Sequence, residues 1–168
     1  PSWARPQTTF KPLINARSET AAKKPSFREA FKRRHCLILT NGFYEWLTHG
    51  KLKQPFYIGL NKWKTFGMAG LWESWTAPNG AAVESCAILT TIANETVSSI
   101  HSRMPVIIPP QQYQLWLDAP VPDPLVPKLL RPYPSNHMQA IPVTTTVNNP
   151  YNDNPHCIKP AAIQQTLF

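Results

Sequence analysis

Apolar residues along this chain fall in short runs, not in helical stripes. His35-Cys36-Leu37-Ile38-Leu39-Thr40 is one such run, Asn41-Gly42 interrupts it, and Phe43-Tyr44-Glu45-Trp46-Leu47 resumes it. This predicts two strands on either side of a turn signal. Thr48-His49-Gly50-Lys51 reads as a hairpin loop that returns into Pro55-Phe56-Tyr57-Ile58-Gly59-Leu60, so 43–47 is expected to pair antiparallel with 55–60. The run from Phe66 to Trp75, the turn Ala77-Pro78-Asn79-Gly80 and the return from Ser85 to Ile92 repeat that design. These are hairpins in series, not βαβ units. Residues 11–17 predict a short strand, and 139–143 another, followed by an Asn-rich loop. Helical signals are few. Ser26-Phe27-Arg28-Glu29 fits a capping box with Phe27, Ala30 and Phe31 on one side of the helix that follows. Residues 110–118 predict a short helix with Tyr113, Trp116 and Leu117 on its apolar side, and 125–130 a helical turn.

Glu45 stands out as one carboxylate among four large apolar side chains. Strand alternation leaves two readings. Sharing a face with Phe43 and Leu47, it would be desolvated, with a raised pKa and a proton to transfer. With Tyr44 and Trp46 inward, it would be an ordinary exposed strand residue. Asn15 and Arg17 are two apart and project to one face of their strand, where an amide beside a guanidinium suits a phosphate or sugar oxygen. His101 and Arg103 share the same spacing just before the apolar run Val106-Ile107-Ile108, where a strand end can present both to a cleft, although a lone His is most often structural or merely exposed.

Composition narrows the class. The 168 residues and 42% apolar content suit one domain with a core, and 19 prolines disfavour a helical bundle. No run reaches the roughly 18 apolar residues of a membrane span, and the opening residues do not read as a leader, so the expectation is an intracellular protein. Pro1 follows no initiator Met, which predicts a processed or truncated N-terminus. Of the net charge of +8, residues 1–35 supply +7, from nine Lys/Arg against two Glu. Such a concentration attracts a polyanion, nucleic acid above all, or else forms a solvated helix face. Three cysteines make no disulfide framework, and Cys36 and Cys86 are expected as buried free thiols. The adjacent pairs His35-Cys36 and His156-Cys157 lack zinc-ligand spacing, so no metal and no cofactor is expected.

Taken together, Asn15-Ala-Arg17-Ser-Glu19-Thr20, Phe27-Arg28, Gly42-Phe43-Tyr44-Glu45-Trp46, Ala69-Gly70-Leu71-Trp72 and His101-Ser-Arg103-Met104-Pro105 strongly resemble the SRAP (SOS-response-associated peptidase) family of abasic-site shield proteins. The tail from Val147-Asn148-Asn149 to His156-Cys157 is similar to the family's C-terminal segment. The resemblance implies a single α+β domain over 1–168, built on a curved, mostly antiparallel sheet approaching a barrel with a few short flanking helices. It implies a monomeric enzyme acting on abasic sites in single-stranded DNA, with no membrane partner, that traps the sugar aldehyde through an N-terminal cysteine as a thiazolidine crosslink. By the same resemblance Asn15, Glu45 and His101 are catalytic, and Arg17 and Arg103 hold flanking phosphates. Trp46 and Trp3 are candidate stacking residues on DNA, with core packing as the other reading of each. The family's opening Met-Cys-Gly-Arg and the tens of residues after it have no counterpart here, so the domain is expected to lack the family's N-terminal segment and the nucleophile to lie upstream. The alternatives are a non-covalent single-stranded nucleic-acid-binding domain and a cysteine (auto)peptidase.

Overall fold

The computed structural model describes residues 13–118 and 123–161. In chain order its elements are β1 (Asn15–Arg17), α1 (Ser18–Ala21), α2 (Arg28–Arg33), β2 (His35–Thr40), β3 (Phe43–His49), β4 (Leu52–Leu60), β5 (Phe66–Thr76), β6 (Ala82–Ile92), α3 (Glu95–Ser98), β7 (Arg103–Pro105), β8 (Ile107–Ile108), α4 (Tyr113–Asp118), α5 (Val126–Leu129) and β9 (Met138–Pro142). The α+β class and the predominance of antiparallel pairing are as expected. The expected single sheet is instead two, and among the described residues neither closes into a barrel. The described residues group into two compact units, interleaved along the sequence.

The first unit holds the described residues up to Leu39, Phe66–Ile92 and Met104 to Tyr133. Its sheet runs β1-β6-β5-β2, with β7 on β6 and β8 on β5. β5 and β6 form the long hairpin predicted from the Pro78-Asn79-Gly80 turn, in register from Gly70 opposite Ile88 to Thr76 opposite Ala82. β1 lies parallel to β6, Asn15 beside Ile88 and Arg17 beside Thr90. Alternation sends Ala87 and Leu89 inward, where they join Leu71, Phe27, Ala30 and Phe31, Trp116 and Leu129 in one core. Trp116 anchors it. Its indole N–H donates to the Cys36 carbonyl at 2.8 Å, and its ring stacks on His35 at 3.9 Å. Both His35 nitrogens lie 2.7 Å from carbonyl oxygens, of Trp116 and Phe31. Burial lowers the His35 pKa, outweighing the pull of those carbonyls toward the imidazolium.

Three local expectations fail here. The α2 N-cap is Phe27, with no side-chain cap. A turn ending at residue 27 precedes the helix, Lys24 O accepting from the amides of Phe27 and Arg28, so the helix starts one residue later than the Ser26 cap requires. Glu29 turns to Arg28 and Lys32 instead. Cys86 is exposed because it sits out of phase with buried Ala87; Cys36 is half-buried, with burial the main cause of a thiol pKa pushed up to about 11. Leu117 faces solvent, since on this one-and-a-half-turn helix the buried direction is fixed by Trp116.

The second unit holds Thr40–Thr65, Ala93–Arg103 and the described residues from Pro134. Its sheet runs β3-β4-β9. The β3–β4 pairing is the one predicted, extended to Phe43 opposite Ile58 and His49 opposite Leu52, with a two-residue turn at Gly50-Lys51 where Gly50 takes φ of +58°. β9 adds to β4 with Phe56 opposite Pro142. Ile58, Val97 and Val143 are fully buried, with Tyr57, Met138 and Cys157 close behind. Two glycines let the chain close on itself. The Tyr57 ring lies over Gly42 where a Cβ would stand, its hydroxyl donating to Asn41 Oδ1 at 2.8 Å. A Cβ on Gly59 would come within 2.6 Å of the Asn41 carbonyl oxygen.

Trp116→Ala should cost about 3–5 kcal/mol through the lost ring and the orphaned Cys36 carbonyl, read as a lower urea midpoint at unchanged slope. Gly59→Ala should cost about 1–3 kcal/mol, since backbone must yield to the new methyl; an unchanged midpoint would show that the β4–Asn41 approach relaxes freely.

Candidate functional site

The strand carrying Glu45 is an edge. Among the described residues β3 pairs only with β4 in its sheet, and its residues Glu45, Trp46 and Thr48 line a cleft. Neither reading of Glu45 from alternation holds in its pure form. Phe43, Tyr44, Glu45 and Trp46 are all half-buried, and Leu47 is exposed. Tyr44 and Tyr57 sit directly opposite, their rings 5.3 Å apart, covering one face.

The cleft encloses about 580 Å³ and is lined by Glu45, Trp46, Thr48, Lys53, His101 and Asn148. All six belong to the second unit. Burial raises the Glu45 pKa above the usual carboxylate range, and His101, when protonated, pulls it back. The two approach to 3.8 Å between Oε2 and Nδ1, an electrostatic contact rather than a hydrogen bond. His101 follows α3, a single turn whose N-terminus is capped by Asn94 accepting from the Val97 amide at 3.1 Å. Its Nδ1 lies 3.1 Å from the Arg103 amide nitrogen and the same distance from the Arg103 carbonyl. The amide donates to a neutral ring and the carbonyl accepts from a protonated one, so the backbone tethers His101 in either charge state. A carboxyl inclined to keep its proton beside an imidazole is an arrangement that can carry proton transfer.

Trp46 is a cleft wall, not a core residue. Its indole N–H donates to Asn148 Oδ1 at 2.7 Å. Asn15 and Arg17 project from one face of β1 in the first unit, both exposed, with Ala16 buried between them as the two-residue spacing required. Arg103 opens β7, half-buried. Trp3 lies outside the described residues. Sequence reasoning missed Thr48, Lys53 and Asn148. The hairpin register pairs Thr48 with Lys53, one residue beyond the predicted end of the first strand and two before the predicted start of the second. Asn148, 102 residues from its partner, falls in the tail segment that resembles the family's, but nothing in its neighbours along the chain places it beside Trp46. Among the described residues no three His, Cys, Asp or Glu side chains gather as a metal site, and no helix is long and apolar enough to cross a membrane.

The SOS response associated peptidase (SRAP) family matches residues 1–150. The chain is 39% identical over 161 residues to the abasic site processing protein YoqW of Bacillus subtilis (strain 168), covering 95% of this chain and 72% of that one. To the abasic site processing protein HMCES of Gallus gallus it is 35% identical over 185 residues, covering 95% and 54%. A crystal structure of a protein from Bacteroides thetaiotaomicron superposes with a TM-score of 0.81 at 30% identity, over 88% of this chain and 66% of that chain. The chain thus spans about two thirds of that solved protein and about half of the vertebrate relative. With a family match over most of its length, relatives above 30% identity and a shared fold, this chain belongs to the SRAP family.

Proposed function

We propose that this chain processes abasic sites in single-stranded DNA, with Glu45 and His101 moving protons at the sugar aldehyde. The observation that carries the reading is the half-buried Glu45 carboxyl, its pKa raised, 3.8 Å from His101 in a cleft that Trp46 and Lys53 also line. The names of the relatives supply the substrate class. Placing the reacting sugar, for Asn15, and holding phosphates, for Arg17 and Arg103, are roles that rest on the family resemblance alone. Trp46 offers a face on which an unpaired base stacks, worth roughly 1–3 kcal/mol per base.

The chemistry follows from the aldehyde of the ring-opened sugar. An α-amine adds to that carbon and water leaves, giving an imine; a thiol on the same residue then adds to the imine carbon, its proton passing to nitrogen, and a five-membered thiazolidine closes. Amine and thiol must belong to one N-terminal cysteine. Cys36, Cys86 and Cys157 have their α-amines in peptide bonds, so in this reading the nucleophile is the N-terminal cysteine of the whole protein. A protonated Glu45 serves the step in which water leaves, since hydroxide is a poor leaving group, and His101 serves opening of the sugar ring, where the hydroxyl proton must be removed and returned.

The whole protein, incubated with a single-stranded oligonucleotide carrying one abasic site, should give an adduct that survives denaturing electrophoresis; no adduct from a protein with an intact N-terminal cysteine would sink the proposal. Glu45→Gln should slow adduct formation roughly 10²–10⁴-fold with little change in strand affinity. The Glu45 carboxyl, followed by side-chain carbon NMR, should titrate above the usual carboxylate range. His101→Asn removes the cation that pulls its pKa down, so the midpoint should move higher still. A downward or absent shift would mean that the two groups do not interact.

A further inference from the structure

We propose that Asn148 is a positioning residue for strand binding: its side-chain oxygen holds the Trp46 indole in the orientation on which an unpaired base stacks. This rests on the strand-binding reading above. An indole N–H is a donor only, so one acceptor satisfies it at the ring edge without using a ring face; the Tyr44 ring lies 6.4 Å from the Trp46 ring, tilted by 42°. Asn148 Oδ1 is that acceptor, at 2.7 Å, and both residues line the cleft that holds Glu45 and His101.

The bracket is rigid because both partners hang from the same two residues of β4. In the hairpin register Trp46 stands opposite Pro55 and Leu47 opposite Gln54. The tail that delivers Asn148 is fastened at those residues from the other side. The Val143 amide donates to the Pro55 carbonyl at 3.0 Å, and the Gln54 side-chain amide donates to the Val143 carbonyl at 2.9 Å. From Val143 the chain is pinned again, the Thr144 amide donating to Lys159 O at 3.1 Å. It then makes the tight turn Thr145–Asn148, closed by the Asn149 amide and the Asn152 side-chain amide, both donating to Thr146 O. An oxygen so placed fixes the indole before any ligand arrives, and a base stacking on it costs no side-chain ordering at the moment of binding.

The test uses the whole protein with an intact single-stranded oligonucleotide, its affinity read by fluorescence anisotropy for the parent, Asn148→Ala, Trp46→Phe and the double variant. Asn148→Ala should weaken binding roughly three- to tenfold, the cost of ordering one side chain. In the Trp46→Phe background, where no N–H is left to hold, it should change nothing. In nitrogen-15 NMR the indole signal missing from Trp46→Phe should shift and exchange faster in Asn148→Ala, the other indole signals staying in place. Asn148→Asp, which keeps an acceptor, should restore that signal. Equal affinities for parent and Asn148→Ala would overturn this role alone, as would a loss of the same size in the Trp46→Phe background. A parent protein that does not retain the oligonucleotide would overturn the strand-binding reading and this role together, while the indole signals would still report whether the bracket exists.

Discussion

The register of the β3–β4 hairpin is the constraint on which the candidate site depends. A slip of one residue along β4 would move Glu45 to the face now held by Tyr44 and Trp46, and those aromatics to the other. Three contacts hold the register. The Gly50-Lys51 turn fixes the strand ends, the Tyr57 ring occupies the space above Gly42, and Gly59 admits the Asn41 carbonyl where any larger residue would push it away. Asn41 joins the last two, as acceptor from Tyr57 and as the backbone against Gly59. Local order at Asn41-Gly42 thus sets the direction of a carboxylate four residues later.

The ionisable groups of the chain illustrate how burial and partnership divide structural from chemical roles. Arg34 and Glu73 meet at 2.8 Å, both partly buried; the pair ties the end of α2 to β5, while the buried Arg34 Nε has no hydrogen-bond partner. His35 is buried between two carbonyls and a tryptophan ring and fixed in place, its pKa lowered by burial against the opposing pull of those carbonyls. Glu45 and His101 differ from both. They are close enough to feel one another, too far apart to form a committed hydrogen bond, and open to the cleft.

Much of this was legible in the sequence because it is local. Alternation and turn residues gave the two long hairpins, and a two-residue spacing put Asn15 and Arg17 on one strand face. The failures share a cause. Whether Ser26 caps, whether Cys86 is buried and which way Leu117 points depend on what packs against those residues, and periodicity is silent about that. The division of the strands into two sheets is likewise a matter of pairing across long separations, as in the parallel match of β1 with β6. At the site, Glu45 and His101 could be named from motifs, yet their approach, and the hold of Asn148 on Trp46, exist only once residues 56 and 102 positions apart are brought together.

The unequal environments of the three thiols bear on what an adduct with this protein would mean. An aldehyde captured by a thiol alone gives a hemithioacetal, which falls apart when the protein is unfolded or the free aldehyde is removed. Cys86 is open to such capture, Cys36 is held as the unreactive thiol by a pKa of about 11, and Cys157 is buried. Any sugar resting on these sulfurs would be a passing guest, and permanence would require a nitrogen in the same ring. Durability of a linkage, rather than its mere formation, is therefore the chemical signature that separates an N-terminal residue from every cysteine inside the fold.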